Sequence, residues 1–259
     1  MRTITFLILL VISNGLFAQL ELPRYEIDDT IIRHRGYTLS YNSKYKQANW
    51  VAYLLTKDET VKRFHRGEYF APDPLIPGTD FKVDYLKSGY DRGHLAPAAD
   101  MGYSMETMVQ SFFYSNMSPQ FPRFNRGVWK KLEMQVRNWA VEYHSLYVVT
   151  GPIFDSVMPT IGPHRVAVPK SYYKVLLQKR NGEWFGIGFV LPNISLKGDI
   201  MQYATSIDKV EELTGIDFFW RMEDKLENRI EKTKLLKMWG NKILKQEKCN
   251  SLTFFNPIF

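Results

Sequence analysis

Apolar residues recur along this chain with two different periods, and the switches between them divide it into short strands and helices. Tyr37 to Tyr41 and Trp50 to Thr56 are rich in aromatic and β-branched side chains and predict strands. The run Ala71-Pro72-Asp73-Pro74-Leu75-Ile76-Pro77-Gly78 predicts loop, because proline fixes φ and removes a backbone donor. Ser104 to Phe113 and Gly127 to Tyr143 predict helices. In the second, Trp129, Leu132, Val136, Ala140 and Tyr143 fall at three- and four-residue spacing and form a stripe that faces the core. Leu146 to Thr150, Val166 to Gln178 and Trp184 to Leu191 predict further strands, the last two joined into a hairpin by Arg180-Asn181-Gly182, where Asn-Gly tolerates positive φ. Ser206 to Thr214 predicts a helix opened by a Ser N-cap and closed by Gly215, and Asp224 to Lys245 a final basic helix with Leu226, Ile230, Leu236 and Ile243 towards the core. These elements interleave without the regular βαβ rhythm of a parallel sheet, so the expected class is α+β, a largely antiparallel central sheet flanked by helices.

Composition adds a boundary at each end of this picture. The 259 residues contain no Pro/Gly/Ser-rich linker and no repeat, which predicts one domain over 19–259. Ahead of it, Met1-Arg2-Thr3 carries positive charge, Ile4 to Ile12 is apolar, and Ser13-Asn14-Gly15-Leu16-Phe17-Ala18 follows. That is the layout of a secretory signal peptide over 1–18, cut after Ala18, although Leu16 is not the small residue cleavage prefers. The apolar run is about half of the roughly 20 residues that span a bilayer. Export to the periplasm or the medium, with no stable membrane insertion, is therefore expected. Cys249 is the single cysteine, so no intramolecular disulfide can form. Hydrophobic residues at 45% and aromatics at 15% exclude a disordered or fibrous chain. Lys and Arg number 34 against 27 Asp and Glu, and the resulting +7 favours polyanionic partners.

The candidate chemistry is concentrated in Asp91-Arg92-Gly93-His94-Leu95-Ala96-Pro97, Ser115-Asn116-Met117-Ser118-Pro119-Gln120, Asn125-Arg126-Gly127-Val128-Trp129 and Leu132-Glu133. Phosphodiester cleavage needs a base for water, a cation for the developing charge, and help for the departing oxygen. His94 has the side-chain type of a base near neutral pH. Arg92 offers a planar fork of donors that matches phosphate. Asn125 offers a hard carbonyl oxygen of the kind Mg²⁺ accepts. On a helix starting near Asn125, Glu133 returns after about 800° to within roughly 80° of the same side, and Arg137 is its i+4 neighbour. Elsewhere the sequence is less informative. His34, His65, His144 and His164 show no zinc spacing, and neither a G-x-S-x-G elbow nor a P-loop occurs. The cations Lys225, Arg229, Lys232, Lys234, Lys237, Lys242 and Lys245 alternate with Glu223, Glu227 and Glu231 and read as a solvated face.

At these residues the chain resembles the DNA/RNA non-specific endonuclease family, the ββα-metal nucleases, whose hallmark is DRGH, then Asn in S-N-x-x-P-Q, then a metal-binding Asn, then Glu eight residues on. Asp91 to His94, Asn116, Asn125 and Glu133 match in that order. Trp50-Val51-Ala52-Tyr53, Thr150-Gly151-Pro152-Ile153-Phe154, Val166-Ala167-Val168-Pro169 with Tyr173-Lys174-Val175, and Leu213 to Phe219 extend the resemblance over about 37–222. It implies a ββα-metal fold with His94 as general base, Asn125 as metal ligand and Glu133 as the carboxylate that holds the metal's waters. It also implies Arg92 and Arg137 at phosphate or the transition state, Asn116 as support around the histidine, and Mg²⁺, with Mn²⁺ or another divalent ion as alternatives. Arg66 matches a further basic residue only loosely. The implied substrates are DNA and RNA; homodimerisation stays open, and no inhibitor is identifiable. Two rivals stand beside this reading: a catalytically silent secreted nucleic-acid-binding protein of the same fold, and a basic surface protein with no nucleic-acid role.

Overall fold

The computed structural model describes residues 19–65, 67, 69–234 and 236–240, so the leader-like segment, Arg66 and the chain beyond Gly240 lie outside the described residues. In chain order the strands are β1 (Thr30–Arg33), β2 (Thr38–Asn42), β3 (Gln47–Thr56), β4 (Asp91–His94), β5 (Met117–Gln120), β6 (Ser145–Ile153), β7 (Thr160–Ile161), β8 (Val166–Ala167), β9 (Ser171–Arg180), β10 (Glu183–Pro192) and β11 (Ala204–Thr205). The helices are α1 (Lys82–Tyr85), α2 (Met105–Gln110), α3 (Lys130–Tyr143), α4 (Ile207–Thr214) and α5 (Asp224–Lys232). Seven strands form one sheet in the order β1-β2-β3-β6-β9-β10-β11, with every neighbouring pair antiparallel. The expected α+β architecture is what the chain adopts.

Helices cover both faces of this sheet, which is why β9 reads as the nearly unbroken run Tyr172 to Leu177 rather than as an alternation. Val51, Tyr53 and Leu55 of β3 and Leu176 of β9 pack with Trp129, Leu132, Val136, Trp139 and Ala140 of the α3 segment. Trp50, Ala52, Val175 and Leu177 face the other way, onto Ile207 and Val210 of α4 and Ile230 of α5. The β9–β10 hairpin turns at Asn181 (φ 51°) and Gly182 (φ 84°), as Asn-Gly predicts. Ser206 accepts from Lys209 N at the start of α4, and Gly215 closes it at φ 70°.

Three expected elements differ in extent. Val166 to Gln178 is two strands, β8 and β9, because Pro169 cannot donate to a ladder and breaks the run. The helix expected from Gly127 begins earlier, as a π-helical turn over Phe124–Trp129 that runs into α3, with Gly127 at φ −105°, ψ −110° marking a kink within that turn. The final helix ends at Lys232 instead of Lys245: Thr233 is extended, and the chain turns inward through a 3₁₀ segment, Leu236–Trp239, that buries Trp239 against Trp139 and Tyr143. Ile243, Lys242 and Lys245 of that expected helix lie outside the described residues.

Candidate active site

Asp91-Arg92-Gly93-His94 is β4 itself, a strand that no hydrophobic alternation announces. β5 closes on it with Arg92 opposite Pro119 and His94 opposite Met117. The approach is tight: a Cβ on Gly93 would stand 2.2 Å from Gln120 Cδ, so only glycine lets the two strands pair this closely. Alternation puts Arg92 and His94 on one face of β4, and both meet Phe70, the guanidinium 4.9 Å and the imidazole 5.8 Å from its ring centroid. Phe112 meets the imidazole edge-on at 4.9 Å, and His94 is buried but for 8% of its surface. Behind the histidine, Asn116 is fully buried. It accepts from Ala96 N at 2.9 Å, donates to Ala96 O at 2.9 Å and to Ser111 O at 2.8 Å, and its carbonyl accepts from Leu95 N at 3.0 Å.

The second half of the site comes from the π-helical turn. Asn125 Nδ2 donates to Asp91 Oδ2 at 2.9 Å, and Arg126 closes a bidentate pair on the same carboxylate at 2.8 and 2.6 Å. Asn125 therefore does not cap a helix; its amide is turned by β4, which leaves the carbonyl oxygen as its acceptor. A cleft of about 380 Å³ is lined by His94, Asn125, Glu133 and Arg137, together with the exposed Lys62, Arg126 and Lys130.

Charges fixed beneath this cleft shape it. Asp100 is fully buried and accepts from Arg137 Nη1 at 2.6 Å and from Tyr53 OH at 2.8 Å. Burial works against the Arg137 charge, but the Asp100 carboxylate, helped by the charge of Glu133, more than offsets that and raises its pKa above the usual arginine value. On β9, Lys174 points to the same side as Leu176, with its ammonium 4.6 Å from the Trp129 ring centroid and no hydrogen-bond partner among the described residues. Burial pulls its pKa down to about 8, against the pull of Glu133 and Asp100.

Of the residues the sequence singled out, the structure brings His94, Asn125, Glu133 and Arg137 together. It does not bring Arg92 or Asn116 to the cleft wall: Arg92 lies against Phe70 and Tyr85, and Asn116 clamps the backbone after the histidine. Arg66 lies outside the described residues. Sequence reasoning missed the orienting work of Asp91, the cations Lys62 and Lys130, and the buried Asp100 and Lys174. Asp91 carried a signal as the charged first residue of the motif, and Lys174 lay in a segment that extends the family resemblance without a role being read for it. His34 and His164, given no role, pair with the buried carboxylates of Asp73 at 2.8 Å and Asp84 at 2.7 Å.

An antiparallel strand pair whose first strand ends in histidine, followed by a helix that brings an asparagine and a glutamate to the same cleft, is the fold of the ββα-metal nucleases. The chain belongs to the DNA/RNA non-specific endonuclease family, whose model matches residues 18–225. It is 33% identical over 219 residues to the mitochondrial nuclease EXOG of Danio rerio, covering 76% of this chain and 64% of that protein. It is 35% identical over 212 residues to nuclease C1 of Cunninghamella echinulata var. echinulata, covering 74% and 83%. Against the crystal structure of the EndoG/EndoGI complex the TM-score is 0.75 at 30% identity, covering 80% of this chain and 93% of that one. The chain thus spans less than two thirds of the length of the zebrafish relative.

Proposed function

We propose that the protein is an exported endonuclease that hydrolyses DNA and RNA without regard to sequence, using one Mg²⁺-type ion and His94 as general base. The observation that carries this reading is the meeting of His94, Asn125, Glu133 and Arg137 in one cleft lined also by Lys62, Arg126 and Lys130. The donor set suits the ion. With Asn125 Nδ2 committed to Asp91, its Oδ1 is the atom offered to a cation, and Glu133 adds carboxylate oxygens in the same cleft. When bound, such an ion stabilises the charge that builds on phosphate during displacement.

The chain does the rest. His94 takes the proton of the attacking water, with its ring plane held by Phe70 and Phe112 and the backbone just after it, at Leu95 and Ala96, held by Asn116. Arg137, held by Asp100, meets the phosphate from a fixed position and needs little reorganisation. Lys62, Arg126 and Lys130 hold flanking phosphates, contacts that position a nucleic acid and read no sequence. Arg92 is in this reading a positioning residue that seats Phe70 behind His94. Export rests on the leader-like residues 1–18, immediately before most of the family match; the intact mass of the exported protein is expected to correspond to a chain beginning at Gln19.

Incubating the purified protein with plasmid and with RNA in Mg²⁺, with and without EDTA, tests the reading. Degradation of both substrates in Mg²⁺ and neither in EDTA is expected. Retarded but intact nucleic acid would instead establish a silent binding protein, and unaltered mobility a protein with no nucleic-acid role.

A further inference from the structure

On the sheet face opposite the cleft, α4 and α5 pack side by side through Ile207, Val210 and Ile230. Above that apolar contact, Asp208 and Glu211 of α4 and Glu231 of α5 each bring a carboxylate oxygen within 4.8 Å of the others. Glu231 is only 7% exposed, and its Oε1 has no hydrogen-bond partner among the described residues; nor has Oε1 of Glu227, one turn earlier. Glu211 Oε1 accepts from Phe218 N at 2.8 Å.

The neighbouring lysines do not resolve this. Lys209 turns away to Glu212 at 2.7 Å, and the charges acting most strongly on Glu231 are Glu211, Glu227, Asp208 and Asp217, all acidic. Burial first, and these carboxylates next, push Glu231 up to about 9; burial, opposed by the Phe218 N–H and aided by Asp217, Asp208 and Glu227, pushes Glu211 up to about 7. A chain with a surplus of cations has thus gathered acids where two helices meet and left a buried oxygen without a donor.

We propose that Asp208, Glu211 and Glu231 form a second, non-catalytic divalent-cation site of Ca²⁺ type that ties α5 to α4. Three oxygens within 4.8 Å of one another lie at most about 2.8 Å from a common centre, so side-chain shifts of a few tenths of an ångström bring all of them to Ca²⁺–oxygen distances of about 2.4 Å, and Ca²⁺ accepts irregular carboxylate sets that Mg²⁺ does not. The site lies on the face away from His94 and takes no part in hydrolysis. Its ion stabilises the folded chain by binding it in preference to the unfolded one.

Thermal unfolding and calorimetric Ca²⁺ titration of the EDTA-treated full chain test it. Free Ca²⁺ at roughly 100 times the dissociation constant is expected to raise Tm by about 5–10 °C. Asn125→Ala, which removes the cleft ligand, is expected to keep that shift, whereas Glu231→Gln and Asp208→Asn lose it along with the calorimetric signal. If Glu231→Gln does not fold, Asp208→Asn, at a partly exposed position, decides the question. A wild-type Tm indifferent to Ca²⁺, a Tm that rises only as the pH falls and the acids share protons, or a full shift retained in Asp208→Asn would each overturn the proposal.

Discussion

Asn125 offers a cation one oxygen, and a single carboxylate decides which way that oxygen faces: Asp91 takes the amide nitrogen at 2.9 Å and is itself pinned by Arg126. Removing Asp91 leaves the ligand in place but free to turn. We expect Asp91→Ala to raise the Mg²⁺ concentration for half-maximal rate about 10- to 100-fold, as loss of a ligand's supporting partner does. Asn125→Ala should raise it and also lower the plateau. Initial rates across a Mg²⁺ titration check both, and an unchanged curve for Asp91→Ala contradicts the orienting role. Lys174 poses the opposite case, a buried charge that costs stability. Its pKa near 8 lies below the unfolded value of 10.5, so the unfolded chain binds more protons between those limits and stability rises with pH across that window. Lys174→Met should therefore raise Tm most below pH 8, with the gain fading towards 10.5, which melts at several pH values measure. His94, Asn125, Glu133 and Arg137 were legible in the sequence because their types and order belong to one chemistry. Lys174 was named only as part of a matching segment and its burial was not legible, since a lysine in an apolar run looks like any strand residue until both sheet faces prove covered.

At the scale of elements, the β4–β5 pair and the loop behind it hold the histidine. A methyl on Gly93 would overlap Gln120, so Gly93→Ala is expected to push the strands apart, cost about 1–3 kcal/mol as overpacking does, and displace His94. Asn116→Ala strands Ala96 N–H and two carbonyls that Asn116 now satisfies, an expected loss of about 1–3 kcal/mol for each orphaned group. Because Asn116 hydrogen-bonds Leu95, Ala96 and Ser111, none of which lines the cleft, its loss should lower kcat while leaving the Mg²⁺ midpoint near wild type. Denaturant melts together with the metal titration separate the two effects. Most strands and helices were readable from hydrophobic period, but β4 was not: four polar or small residues form a strand only because β5 pairs with them, a long-range fact. The final helix was overextended for a related reason. Its period continues past Lys232, yet burying Trp239 against Trp139 outweighs another turn of an exposed helix.

For the molecule as a whole, the contacts proposed for substrate all address phosphate, on a chain of net charge +7. Binding should therefore weaken steeply between about 50 and 200 mM salt, and digestion should leave ends of every base composition. Fluorescence anisotropy across that range and sequencing of the digested ends measure these; salt-independent affinity or a fixed motif at the ends contradicts phosphate-only recognition. The central claim, that His94 moves the proton while the surrounding cations bind, is tested most directly by single-turnover cleavage of one labelled duplex at saturating enzyme and Mg²⁺. His94→Ala is expected to cleave about 10² to 10⁴-fold more slowly than wild type, with duplex affinity and Tm nearly unchanged; a single-turnover rate within a few-fold of wild type would contradict it.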